Sequence, residues 1–287
     1  MDKSHFLYAA IVRTQGTRLD LLREALSSIA YQSVPCLTVL VIHADKNAFL
    51  SVYRICKQIT DLSCFLLHMP DTTKKRGMPL NSGLTYCYDC GISFDGIFFL
   101  DDDDIVYPFF AQKMLQALVV THADVIYAAS NCSKPGYPLE KGYRPRHILN
   151  LLIENFIPIN SYMIRFDTLK EKRLFFNESL DVLEDWHFLL QLLKNGFRFE
   201  AISETLSEFR ILSDENSRAK VNPDVWKRTS KTIRNDINTS LFSINGASLV
   251  SSLISLNRHT PAADARVQIL QDRITDLELS LSDRNAE

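Results

Sequence analysis

The segment LTVLVI at residues 37–42 is rich in β-branched side chains and carries no charge. A strand can be apolar on both sides only where both faces of its sheet are covered, so this segment points to a sheet buried between helices. The same pattern recurs along the chain. Residues 6–12 form a short apolar run, after which Leu19, Leu22, Ala25, Leu26 and Ile29 return at helical spacing. Residues 49–59 have helical periodicity, 64–67 are strand-like and 84–92 predict another helix. Ile97-Phe98-Phe99-Leu100 is a short apolar strand, and 125–129 predict one more. Strands alternating with helices predict an α/β fold, Rossmann-like, with a mostly parallel sheet flanked by helices. A chain of 287 residues has room for one large α/β domain and an appendage. In such sheets ligands bind beyond the carboxyl ends of the strands. Two polar segments stand at such ends, residues 13–16 and residues 101–104.

Beyond residue 133 the pattern loosens. Residues 134–160 are rich in Pro, Gly and Tyr and predict a long loop or lid. A helix is expected over 182–195, closed by Gly196, with a strand over 197–202. The tail differs again. Val267, Leu270, Ile274, Leu277 and Leu281 alternate three and four residues apart, an a/d seam of nearly three heptads. The expected organisation is a catalytic domain over 1–235, a helical linker over 236–262 and a coiled coil over 263–287. A short lone amphipathic helix is marginal in water. The seam must therefore pack against the body or pair with another helix. Its strict spacing favours a coiled-coil homo-oligomer, while its run almost to Glu287 suggests the front part of a longer protein.

Composition excludes several classes. The formal net charge of −2 and pI near 6.4 argue against a nucleic-acid binder, which carries a basic excess. The uncharged stretch 237–257 is too diluted with Ser and Asn to be a membrane span, and MDKSHFLYAAIVRTQ predicts a first strand and not a signal peptide. Of six scattered cysteines only Cys87 and Cys90 form a C-x-x-C, with no second pair to complete a zinc site. They read as small buried residues in a reducing, cytoplasmic compartment.

Four consecutive carboxylates, Asp101, Asp102, Asp103 and Asp104, repel one another unless a cation or a positive local field offsets them. Placed at a strand end, they suit a hard divalent cation, Mn²⁺ or Mg²⁺, that also binds substrate phosphate. A solvated acidic turn is the plainer alternative. Glu184-Asp185-Trp186 opens a predicted helix, where acidic residues also serve the helix dipole. Asp185 suits in kind a general base that deprotonates an acceptor hydroxyl. Lys74-Lys75-Arg76-Gly77, followed by Asn81-Ser82-Gly83, joins basic residues to glycines that let a diphosphate approach, or else forms a solvated charged loop.

In this order the motifs resemble the family-2 inverting glycosyltransferases of the A-type (GT-A) fold, a nucleotide-diphospho-sugar transferase fold, and especially bacterial enzymes of surface-polysaccharide synthesis. The resemblance spans about residues 5–215: Arg13-Thr14 with LLREALSSIAYQSVP and LTVLVIHAD, then RGMPLNSGL, then FLDDDD, then LEDWHFLLQLLKNGFRF. It implies a hexosyltransferase that takes a nucleotide-diphosphate sugar, a UDP-sugar foremost, and a glycan or lipid-linked acceptor at the inner face of the membrane. Thr14 and Asp45 would touch the nucleoside and Asp101 the ribose, with Asp102 beside it on the donor side. Arg76 and Asn81 would line the donor pocket, and Arg210 would stand near the diphosphate. Asp103 would ligate the metal, Asp185 would be the base, and Glu184 and Trp186 would lie on the acceptor side. Two positions depart from the family pattern. Its Pro-Thr-Tyr is Arg13-Thr14-Gln15 here, and its acidic pair after the second strand is His43-Ala44-Asp45.

Two other readings compete. A nucleotidyltransferase of related fold would open with a Gly-rich basic loop, which RTQGTR at 13–18 matches poorly. An inactive transferase-like scaffold would have no need of Asp103 and Asp185.

Overall fold

The computed structural model describes residues 7–70, 75–212 and 222–242. Strands β1 (Tyr8–Thr14), β2 (Cys36–His43), β3 (Cys64–Met69) and β4 (Gly96–Asp101) pair in parallel in the order β3-β2-β1-β4. The sheet then continues through β8 (Tyr162–Arg165), β6 (Val125–Ser133), β9 (Phe199–Arg210) and the two-residue β5 (Ile105–Val106), with β7 (Glu140–Tyr143) pairing β6 to one side. β8 runs against both its neighbours, so β6 and β9 again point the same way as the first four strands. The sheet is thus mixed, with its long strands mostly aligned.

Every residue of β1 is buried, and its alternate side chains enter two different cores. Tyr8, Ala10 and Val12 face α1 (Leu19–Ala30), α2 (Lys46–Gln58) and α4 (Phe110–Thr121). Ala9 and Ile11 face α3 (Gly77–Asp89), α5 (Phe166–Lys172), α6 (Glu184–Lys194) and α7 (Pro223–Thr239). This two-sided burial is what the uncharged strands require, since each fully buried Leu, Ile or Phe contributes roughly 1.5–3 kcal/mol. The helices approach closely. A Cβ on Gly83 of α3 would stand 2.6 Å from the Ile11 side chain, so this contact with β1 needs glycine. Cys87 packs in the same interface, fully buried.

Three expectations are corrected. The helix expected over 84–92 begins already at Gly77, so Asn81-Ser82-Gly83 lies within it and Arg76 stands at its N-cap. Residues 134–160 are no simple lid: β7 folds back on β6, and two short 3₁₀ turns, Ile148–Leu152 and Ile159–Ser161, follow. The strand expected to end near 202 extends to Arg210, because β9 keeps pairing with β6 through two register shifts. Helix α7 runs across residue 235, and the heptad seam at 267–281 lies outside the described residues. Among the described residues, no helix is long and apolar enough to cross a membrane.

Candidate active site

The site is built where β1 and β4 end side by side. Arg13 is registered opposite Asp101, and its guanidinium makes a two-pronged contact with that carboxylate at 2.6 and 3.1 Å. Because side chains alternate along a strand, Arg13 follows Ile11 to one face of the sheet and Thr14 follows Val12 to the other. The site is therefore divided between the two faces.

On the first face, Arg13 Nη1 also donates to Glu184 Oε1 at 3.0 Å and to the Arg76 carbonyl at 2.7 Å. Arg76 Nε reaches the same Glu184 oxygen at 2.9 Å. Burial pushes the Glu184 carboxyl up, but Arg76 and Arg13 outweigh it and hold it below the ordinary glutamate range. Burial likewise opposes the charge of Arg13, yet Asp101 and Glu184 raise its pKa further. Glu184 and Asp185 form the first turn of α6, entered through Leu183 in the left-handed region at φ 61°. That conformation costs a leucine roughly 1–2 kcal/mol, and it turns the chain so that both carboxylates start the helix beside the cleft. There the helix dipole favours negative charge. Asn155 Nδ2 donates to Asp185 Oδ2 at 3.1 Å, and the Trp186 amide donates to Asp185 Oδ1 at 2.8 Å. The cleft over these groups is lined by Arg13, Arg76, Asp101, Glu184 and Asp185, with Tyr143, Asn155 and Trp226 among the rest of its wall.

On the second face, Thr14 Oγ1 donates to Asp102 Oδ2 at 2.6 Å and accepts from the Gly16 amide at 3.0 Å. Arg18 bridges Asp102 at 2.5 Å and Asp103 at 2.6 Å. Burial pushes Asp102 up to about 6 despite Arg18 and Thr14, and burial with the nearby Asp101 raises Asp103. Asp104 Oδ1 accepts the backbone N–H of Arg210 at 2.9 Å. Carboxylate oxygens of Asp101, Asp103 and Asp104 all lie within 4.8 Å of one another, an all-oxygen donor set that fits Mg²⁺ or Mn²⁺.

The remaining expected residues fall as follows. Asp45 is exposed and caps α2, accepting from the Ala48 amide at 2.8 Å. The Asn81 carboxamide is engaged with the chain itself, donating to the Phe176 carbonyl and Glu178 and accepting from the Phe176 amide. Arg210 pairs through its side chain with Glu24 at 2.6 Å. Trp186 is buried in the core at 2% exposure, its indole N–H donating to the Leu151 carbonyl at 2.7 Å. The indole that lines the cleft is that of Trp226, far along the chain and carrying no motif. The sequence places residues 13–16 at a strand end but assigns Arg13 no role of its own, although a charge closing an apolar strand is a signal. It assigns nothing to Arg18, which carries no comparable signal.

No protein-family model matches this chain, and no curated protein matches it in sequence. Solved structures do. Residues 1–349 of S. aureus TarS in complex with UDP-GlcNAc superimpose with a TM-score of 0.66 at 19% identity, over 88% of this chain and 72% of that one. The mannosyltransferase PcManGT from Pyrobaculum calidifontis, in complex with GDP-Man and Mn²⁺, gives 0.55 at 14% identity, over 96% of this chain and 81% of that one. The fold is GT-A-like. At these identities the likeness is one of fold, and the chemistry has to be argued from the site.

Arg13 gives the site a direct stability test. Arg13→Gln leaves the buried Glu184 and the partly buried Asp101 with Arg76 as their shared arginine, at 2.9 and 3.8 Å. Losing one partner of a buried ion pair typically costs up to about 3–5 kcal/mol. Urea unfolding at pH 7 is expected to show a loss of that order. The loss should shrink as pH falls below the ordinary glutamate value of 4.5, where protonation relieves carboxylates that have lost part of their compensating charge. An unchanged midpoint would mean that Arg13 is not what ties the ends of β1 and β4 to the start of α6.

Proposed function

We propose that this chain is a metal-assisted, inverting glycosyltransferase that moves a hexosyl group from a nucleotide-diphosphate sugar, a UDP-sugar foremost, to a hydroxyl of a glycan or lipid-linked acceptor. The observation that carries this reading is one cleft that joins Asp101, at the edge of the acidic strand end, to Asp185 at the N-terminus of α6. The fold shared with proteins solved in complex with UDP-GlcNAc and with GDP-Man supports a donor of that class.

In this reading Asp185, oriented by Asn155, takes the proton of the acceptor hydroxyl. The acceptor oxygen forms a bond to the anomeric carbon as the bond from that carbon to the diphosphate oxygen breaks, and the nucleoside diphosphate leaves from the opposite face. Asp101, Asp103 and Asp104 would hold the divalent cation, which when bound supplies positive charge to the departing diphosphate. Arg76 stands at the cleft wall and adds a guanidinium suited to phosphate oxygens. Thr14 and Asp102 belong to the donor side, and Glu184 keeps Arg13 and Arg76 in place between donor and acceptor. Bacterial surface-polysaccharide synthesis at the cytoplasmic face of the membrane is the setting we assign to it. A screen of nucleotide-sugars with Mn²⁺, reading release of nucleoside diphosphate, tests the proposal. Release of pyrophosphate would favour a nucleotidyltransferase, and no turnover of any donor would favour a scaffold.

We further propose that the catalytic unit spans 1–235, followed by a helical linker over 236–262 and a coiled coil over 263–287. Cutting after Pro261 is then expected to leave donor turnover within about twofold of the full chain while shifting the molecule toward monomer, because the seam is what pairs. Sedimentation of both chains at one concentration checks this, and equal masses would mean that the heptads pack within one chain or do nothing.

A further inference from the structure

One cation is already seated in the acidic cluster, and it belongs to the chain. Arg18 immediately precedes α1 and turns its guanidinium back onto the end of β4, with Nη2 2.5 Å from Asp102 and Nη1 2.6 Å from Asp103. Asp103 is also one of the three carboxylates whose oxygens converge closely enough to share a divalent cation. Arg18 and a metal ion therefore compete for the same carboxylate.

The other cations of the site are not placed to exchange in this way. Arg13 is held on the opposite face by Asp101, Glu184 and the Arg76 carbonyl, with 8% of its side chain exposed. Arg76 is tied to Glu184, and the Arg210 guanidinium is paired with Glu24 while its backbone serves Asp104. Arg18, at 23%, is more accessible than Arg13 and Arg210. Unlike Arg76, whose hydrogen bond goes to Glu184, it is seated on a carboxylate of the acidic cluster that a metal would need. Its departure also leaves Asp102 with a partner, since Thr14 donates to the second oxygen of that carboxylate.

We propose that Arg18 is an exchangeable counter-cation, which holds Asp102 and Asp103 before the donor arrives and passes to the donor diphosphate when a divalent cation takes Asp103. The physical reason lies in what each ligand meets alone. A metal ion by itself must break one arm of a two-pronged ion pair and leave only the arm to Asp102, in a site where charge is poorly solvated. A diphosphate by itself faces neighbouring carboxylates and an arginine already engaged. Arriving together, the metal satisfies Asp103 and the diphosphate offers the freed guanidinium two oxygens in the geometry that it prefers. Metal and diphosphate thus bind as a linked pair, and each raises the affinity for the other by the same factor. This inference rests on the metal-assisted reading above, and it adds that Arg18 contacts the diphosphate and makes binding of the bare metal unfavourable.

The test uses the full chain, with Mn²⁺ binding followed by electron paramagnetic resonance, alone and in the presence of UDP or GDP. Arg18→Gln is expected to bind Mn²⁺ alone about tenfold more tightly than the wild type, and the factor by which the nucleotide improves Mn²⁺ binding should fall by about tenfold. Arg18→Lys keeps the charge but loses the fork, so it should move both quantities in the same direction by about threefold, and it serves if the glutamine variant fails to fold. Arg23→Gln, an exposed arginine on the same helix, is the control for a general loss of charge and should change neither. Unchanged or weaker binding of Mn²⁺ alone to both Arg18 variants overturns the proposal. If Asp103→Ala abolishes Mn²⁺ binding while the Arg18 variants leave it unaltered, the metal-assisted reading stands and only the role of Arg18 falls. If no protein binds Mn²⁺ with or without nucleotide, the metal-assisted reading fails and this inference fails with it.

Discussion

Asp185→Asn is expected to keep donor binding while lowering kcat by about 10²–10⁴-fold, the usual contribution of a positioned general base. The carboxamide has nearly the same shape as the carboxylate, so its oxygen can keep accepting the Trp186 amide while its NH2 donates to Asn155 once that side chain turns its own oxygen inward. What it cannot do is accept a proton. Equilibrium binding of the nucleotide and single-turnover kinetics, measured on the same preparation, separate the two roles. A collapse of nucleotide affinity with an unchanged chemical step would make Asp185 a binding residue, and the base would have to be sought elsewhere along the cleft.

Asp103→Ala should have the larger effect, a loss of transfer of about 10³-fold or more, because the cation is asked to supply several kcal/mol of charge stabilisation to the leaving group. The fold should survive. Asp103 retains 17% side-chain exposure, burial and the nearby Asp101 already raise its pKa, and Arg18 keeps Asp102 as a partner after the change. Removing one of several crowded carboxylates also relieves repulsion. Thermal unfolding should therefore be nearly unchanged without metal, while the stabilisation that Mn²⁺ plus nucleotide gives the wild type should disappear. Wild-type turnover by the alanine variant at saturating Mn²⁺ would sink the metal assignment.

The two variants also distinguish the halves of the site. Loss of Asp103 acts through the second face, where Thr14, Asp102 and Arg18 meet, and loss of Asp185 acts through the cleft on the first. Asp101 links them, lining the cleft and converging with Asp103 and Asp104. If both variants hold, the sharp division of effects, one on metal-dependent binding and one on turnover, follows from the period-two alternation of β1.

Much of this architecture could be read in the chain itself. Uncharged runs such as residues 37–42 announce strands covered on both faces, and helical spacing between them announces the layers that cover them, because the identity of each neighbour along the chain is enough to set both periods. The same reasoning locates residues 101–104 at a strand's carboxyl end and Asp185 in the first turn of a helix. What the chain could not disclose is which charges meet. Arg13 and Glu184 are 171 positions apart, and Arg18 and Asp103 are 85 apart. Their pairing depends on the register of β1 against β4, on the side of the sheet to which each side chain turns, and on where α1 and α6 dock. For the same reason Trp186, whose motif suggested the acceptor side, lies in the core, while Trp226 lines the cleft. Local pattern fixes the elements because it acts over a few residues. The charge partners come from packing between elements distant in sequence, where only the assembled sheet decides that an arginine, and not solvent, faces each aspartate.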